Sequence, residues 1–121
     1  LDSNLSSETN RKIWQDENEL WVYGRTEGSN VQNESKKIID MNPRDLDSIL
    51  SHLYENGVTS ILVEGGATLL DSFIEKNLWD EAIVLQGERK INQGKKVKNP
   101  LRGYSNSQNI GKNKLSQFIN S

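Results

Sequence analysis

One carboxylate and two glycines, Glu64, Gly65 and Gly66, stand together inside the stretch TSILVEGGATLLDS, Thr59 to Ser72. Glycines let the backbone approach a ligand closely. A helix that starts directly after them presents amides with no internal partner, and such amides bind phosphate. A carboxylate beside that turn accepts hydrogen bonds from hydroxyls, so a sugar is its natural partner. The combination fits a nucleotide whose pyrophosphate rests on the helix at Ala67. No Ser-His-Asp or Cys-His arrangement supports nucleophilic catalysis. A cofactor that brings its own hydride suits a site of this kind, because the protein need only align two ligands.

Positioning these residues takes a strand and a helix. Ser60 to Val63 reads as a short buried strand with Glu64 at its carboxyl end, where open α/β sheets form their ligand crevice. An unpaired carboxylate there is costly, so Glu64 is expected to face a cleft or a nearby amide. The helix is expected from about Ala67 to Asn77. Leu69, Leu70, Phe73 and Ile74 form its buried stripe, and Asp71, Glu75 and Lys76 its wet side. A strand from Glu81 to Gln86 follows. Strand, helix and strand make one right-handed parallel unit.

A second such unit runs from Lys37–Asp40 to Ser60. Asn42-Pro43-Arg44-Asp45 opens its helix, with Asn42 as the cap. Leu46, Ile49, Leu50 and Leu53 share one face, and Gly57 ends the helix. Leu20 to Tyr23 is another short buried strand. Ile13 and Trp14 are the large apolar anchors of the charged stretch before it. Residues 24–34 and 100–109 read as polar loops, and Lys114 to Ile119 as a final edge strand. Two consecutive units predict an α/β fold with a mostly parallel sheet and flanking helices.

Composition narrows the function further. The chain has 121 residues, enough for one domain, and a formal net charge of -2. That balance gives no field to attract nucleic acid or an anionic membrane. Only 33% of residues are hydrophobic, and the mean hydropathy is -0.74. The core is therefore lean. Cysteine is absent, which removes disulfides and thiolate metal sites. No metal-ligand constellation surrounds Asp45, Asp47 and Glu55. No apolar run resembles a membrane span or a signal peptide, and a cytoplasmic location is expected.

Plainer roles compete at every position. Gly65 and Gly66 could form a left-handed turn that merely joins strand to helix. Ser3 could be a turn residue, and Arg25 a solvated one. His52, the only histidine, lies beside the apolar helix stripe and is rejected as catalyst or ligand. Lys95, Lys96 and Lys98 read as a solvated loop. Trp14, Trp21 and Trp79 read as packing anchors.

The residues Gly57 to Val84, GVTSILVEGGATLLDSFIEKNLWDEAIV, resemble the core of the riboflavin-biosynthesis pyrimidine reductases. This is the C-terminal domain of the bifunctional diaminohydroxyphosphoribosylaminopyrimidine deaminase / 5-amino-6-(5-phosphoribosylamino)uracil reductase. The family pattern is matched at Gly57, Ser60, Val63-Glu64-Gly65-Gly66, Phe73 and Leu78-Trp79-Asp80-Glu81. Leu1 to Ser6, LDSNLS, is similar to a further family segment, Gly94 and Pro100 to a family loop, and Ile110 to Asn120 to the closing strand.

The resemblance implies a dihydrofolate-reductase-like fold and NADPH-dependent reduction of a phosphorylated ribosylaminopyrimidine to its ribityl form. It implies that Glu64 holds the substrate sugar. It places Gly66, Ala67, Thr68, Leu69, Leu70, Asp71 and Ser72 along the cofactor pyrophosphate, and Ser3 at the adenosine end. It assigns no catalytic side chain and no metal. The family's opening S-L-D-G-type strand and the zinc deaminase domain have no counterpart here. Leu1-Asp2-Ser3 reads as the end of a strand that begins outside the chain. The expectation is a C-terminal part of one reductase domain, inactive alone and open to a homo-oligomer through its exposed sheet edges. A different dihydrofolate-reductase-like reductase and a nucleotide-binding module without catalysis are the competing readings.

Overall fold

Asp45 sets the start of the longest helix among the described residues. Its carboxylate accepts from the Ser48 backbone N–H at 3.2 Å and from the Ser48 hydroxyl at 2.8 Å. The computed structural model describes residues 1, 10–25, 35–90, 92–97 and 105–121. The order of elements is α1 (Lys12–Gln15), β1 (Leu20–Gly24), β2 (Lys36–Asp40), α2 (Leu46–Glu55), α3 (Ala67–Glu75), β3 (Glu81–Gln86), β4 (Ser105–Ile110) and β5 (Asn113–Ile119). The fold is mixed α/β. It divides into two compact units, Leu1–Ile61 and Leu62–Ser121.

In the first unit β1 and β2 pair in parallel, with Val22 opposite Ile38 and Tyr23 opposite Ile39. Val22, Tyr23, Leu46 and Ile49 are its buried apolar residues, drawn from the aromatic and branched residues of β1 and the apolar stripe of α2. The Tyr23 hydroxyl meets His52 Nδ1 at 3.0 Å, and the Trp21 ring meets the same imidazole edge-on at 5.6 Å. His52 is thus a packing residue that joins α2 to β1. Asn42 does not cap α2. Its side chain accepts from the Arg44 N–H at 3.2 Å, making a turn one step earlier, and the cap falls to Asp45. Gly57, at φ 84°, takes the left-handed position after the helix. Ile13 is 53% exposed, whereas Trp14 is half-buried.

In the second unit β5 lies between β3 and β4, and both pairings are antiparallel. The closing strand is therefore central in its sheet, where the sequence pointed to an edge. Its partner β4 falls in the stretch read as a polar loop. A two-residue turn, Gly111-Lys112, joins them, with Gly111 at φ 59° as such hairpins require. Among the described residues one strand pair is parallel and two are antiparallel, where a mostly parallel sheet was expected. Ser60 to Val63 joins no ladder. Leu62 is 86% exposed, so this segment is not the buried strand the apolar run indicated. Helix α3 ends near Glu75, and Asn77 takes the left-handed conformation after it at φ 57°.

Candidate cofactor site

Gly65, Gly66 and the first turns of α3 form the candidate site within the second unit. Neither glycine has a positive φ among the described residues, so the left-handed turn is not their purpose. Gly65 is a close-packed position. A Cβ there would stand 2.9 Å from Leu69 Cδ2. Gly66 is the N-cap of α3, at φ -73° and ψ 164°. Any residue adopts that conformation, and a Cβ on Gly66 would meet nothing within 4 Å. Conformation and internal packing thus leave Gly66 free to be another residue. Open space above a helix start is what a ligand requires for backbone approach.

The electrostatics of this helix end are positive. The Gly66 carbonyl accepts from the Leu69 and Leu70 amides at 3.0 and 3.2 Å. The amides of Ala67 and Thr68 have no intrahelical partner, and Gly66 has no side chain to cap them. No acidic residue lies in the first turn. The ammonium of Lys95, from the segment after β3, donates to the Thr68 hydroxyl at 2.7 Å. A helix N-terminus carries about half a positive charge. An ammonium beside it adds to a field that an anion would neutralise.

The predicted site residues divide by environment. Gly66 and Thr68 are exposed, and Ala67, Leu69, Leu70 and Ser72 are half-buried. Ser72 donates its hydroxyl to the Thr68 carbonyl at 2.8 Å, inside the helix. Asp71 is buried, at 9% exposure. The wet face expected for it is wrong, and its carboxylate does not face solvent. Glu64 is exposed. The burial argument that led to it therefore fails, because the segment before it is not enclosed. Glu64 still stands two residues from the helix cap. Ser3 lies outside the described residues. Arg25 is exposed in the first unit.

Lys95 is the residue that sequence reasoning set aside. Its one signal was membership of a basic run, and nothing in the sequence pairs it with Thr68, 27 positions away. Among the described residues no group of three or more His, Asp or Glu side chains could hold a metal ion. No helix among them is long and apolar enough to cross a membrane.

A family model described as the RibD C-terminal domain matches residues 1–89. The match takes in β1, β2, α2, the Gly65-Gly66 turn, α3 and β3. It stops before Lys95, β4 and β5. No curated protein matches the chain.

Proposed function

From the premise that this chain belongs to the RibD C-terminal domain family, a family of riboflavin-biosynthesis reductases, we propose that it takes part in the NADPH-dependent reduction of 5-amino-6-(5-phosphoribosylamino)uracil to the ribitylamino form. The observation that carries the reading is Gly66. It caps α3 in an ordinary extended conformation with open space where a Cβ would be. The start of α3 has no acidic residue and an ammonium beside it. These residues suit a dinucleotide pyrophosphate.

In this reading the amides of Gly66, Ala67 and Thr68 hold the pyrophosphate, and the rest of the turn through Ser72 supports them. Asp71 contributes backbone only, since its side chain is buried. Glu64 accepts hydrogen bonds from the hydroxyls of the substrate sugar. NADPH, when bound, supplies the hydride. The chain's own residues then fix distance and orientation, which is the larger part of the catalysis such a transfer needs. In this reading residues 1–121 belong to one dihydrofolate-reductase-like domain, and Glu64 stands two residues before the Gly66 cap of α3.

The test is NADPH oxidation by the full-length protein with the phosphoribosylaminopyrimidine. Turnover that Gly66→Val abolishes supports the proposal. Binding of NADPH without turnover points to a nucleotide-binding module instead. Absence of both removes the reading.

A further inference from the structure

The bond between Lys95 and Thr68 places a cation where the helix is already positive. Lysine ammoniums are stabilised at the opposite end of a helix and opposed at this one. No carboxylate in the first turn offsets the charge, and no ion pair to Lys95 is present among the described residues. The sequence around Lys95 is also strongly basic. Residues 88–114 contain eight Lys and Arg and a single acidic residue, Glu88, in a chain whose net charge is -2. The 88–114 segment therefore concentrates positive charge, and its Lys95 reaches the cofactor-binding turn.

We propose that Lys95 is a phosphate-binding residue of this site, pairing with the pyrophosphate of the bound dinucleotide. The inference rests on the dinucleotide reading given above and extends it to a residue outside the matched family segment. In the free protein the ammonium is held on the Thr68 hydroxyl, a neutral acceptor. An anion lying over the amides of Ala67 and Thr68 offers it a charged acceptor within reach of the same stem. The bond to Thr68 has one charged partner, whereas a bond to the anion has two of opposite sign and adds their direct attraction. Lysine serves as a point charge in this role, so the geometry need not be bidentate.

The experiment is calorimetric titration of the chain with NADPH and, separately, NADH, at two salt concentrations. Lys95→Ala is expected to raise both Kd values about tenfold and to flatten their salt dependence. Lys95→Arg is expected to keep them within about threefold of the unsubstituted chain, because the charge is retained. Lys112→Ala removes the same charge from the β4–β5 turn and is expected to leave them unchanged.

An unchanged Kd in Lys95→Ala, with binding still lost in Gly66→Val, overturns the role of Lys95 and leaves the dinucleotide site standing. An equal loss in Lys112→Ala also overturns it, since the effect is then a general field. A loss confined to NADPH overturns the pyrophosphate assignment in favour of the 2′-phosphate. Failure of the unsubstituted chain to bind either dinucleotide removes both the site and the inference.

Discussion

Lys36 Nζ stands 3.0 Å from Asp16 Oδ1 and 2.6 Å from the Asn18 carbonyl oxygen, and Lys36 is only 2% exposed. A buried ammonium requires such partners. The pair fastens the first residue of β2 to the turn before β1. It holds together the two strands of the parallel ladder near its beginning.

This pairing makes acid stability depend on Asp16. The hydrogen bond from Lys36 holds the Asp16 carboxyl below its ordinary range. Glu19 is lowered as well, by Lys37 first and then by the Trp21 indole N–H. A depressed carboxyl contributes stability that is complete above its unfolded-state pKa. The contribution is lost as pH falls through the folded-state value. Urea midpoints measured from neutral to strongly acidic pH should therefore fall at the acid end. Asp16→Asn should lower the neutral plateau and flatten the acid limb. Parallel curves for the two proteins would show that Asp16 contributes nothing through its charge.

Local signals account for what was legible in the sequence. The apolar spacing of Leu46, Ile49, Leu50 and Leu53 located α2, and Gly57 marked its end. The bounds of β3 were also readable, because EAIVLQ lies between turn residues. The closing strand was readable as a strand, yet its central place was not, since its partner β4 is SNSQNI and carries no apolar alternation. Lys36 was missed because lysine seldom lies buried, and only a partner twenty residues away explains it. Ser60 to Val63 misled for the opposite reason. An apolar run specifies a strand only when another edge receives it, and no ladder includes this one. The glycine turn was found by composition, whereas its lysine required the fold.

Gly66 and Gly65 should respond differently to a methyl group. Gly66→Ala fits its backbone conformation and meets no neighbour, so thermal stability should stay within about 0.5 kcal/mol. NADPH affinity should nevertheless fall about tenfold, because the methyl group stands where the proposed site brings the cofactor against the protein backbone. Gly65→Ala brings its Cβ to 2.9 Å from Leu69 Cδ2 and should cost about 1 kcal/mol as the leucine tip shifts. Thermal melts and titrations of both variants decide the matter. Equal NADPH affinity in Gly66→Ala and the unsubstituted chain would rule out close approach at this glycine.

Glu64 should separate binding of the two ligands. It is exposed, so Glu64→Gln should fold normally. In the full-length protein its NADPH affinity should be unchanged, while kcat/KM for the pyrimidine should fall by roughly ten- to a hundredfold, the range expected for losing hydrogen bonds to a charged acceptor. Steady-state kinetics with varied pyrimidine measure this. A variant that loses NADPH affinity and keeps its kcat/KM would place Glu64 on the cofactor side instead.

Leu62 tests whether the segment before Glu64 is as open as its exposure indicates. β3 is an outer strand of its sheet, and its Ile83 and Leu85 are 62% and 63% exposed. Leu62, at 86% exposure, belongs to an apolar run that ends one residue before Glu64. Because Leu62 is exposed and joins no ladder, Leu62→Asp should change stability by no more than about 0.5 kcal/mol. Tyr54→Asp, at a site 74% exposed on α2, should change stability by no more than about 0.5 kcal/mol. The amides of residues 62 and 63, which join no ladder, should also exchange with solvent faster than those of β3. A loss of about 2 kcal/mol in Leu62→Asp, the scale of burying one leucine, together with slow exchange at residues 62 and 63, would show that the segment is enclosed and that Glu64 does not stand on an open loop.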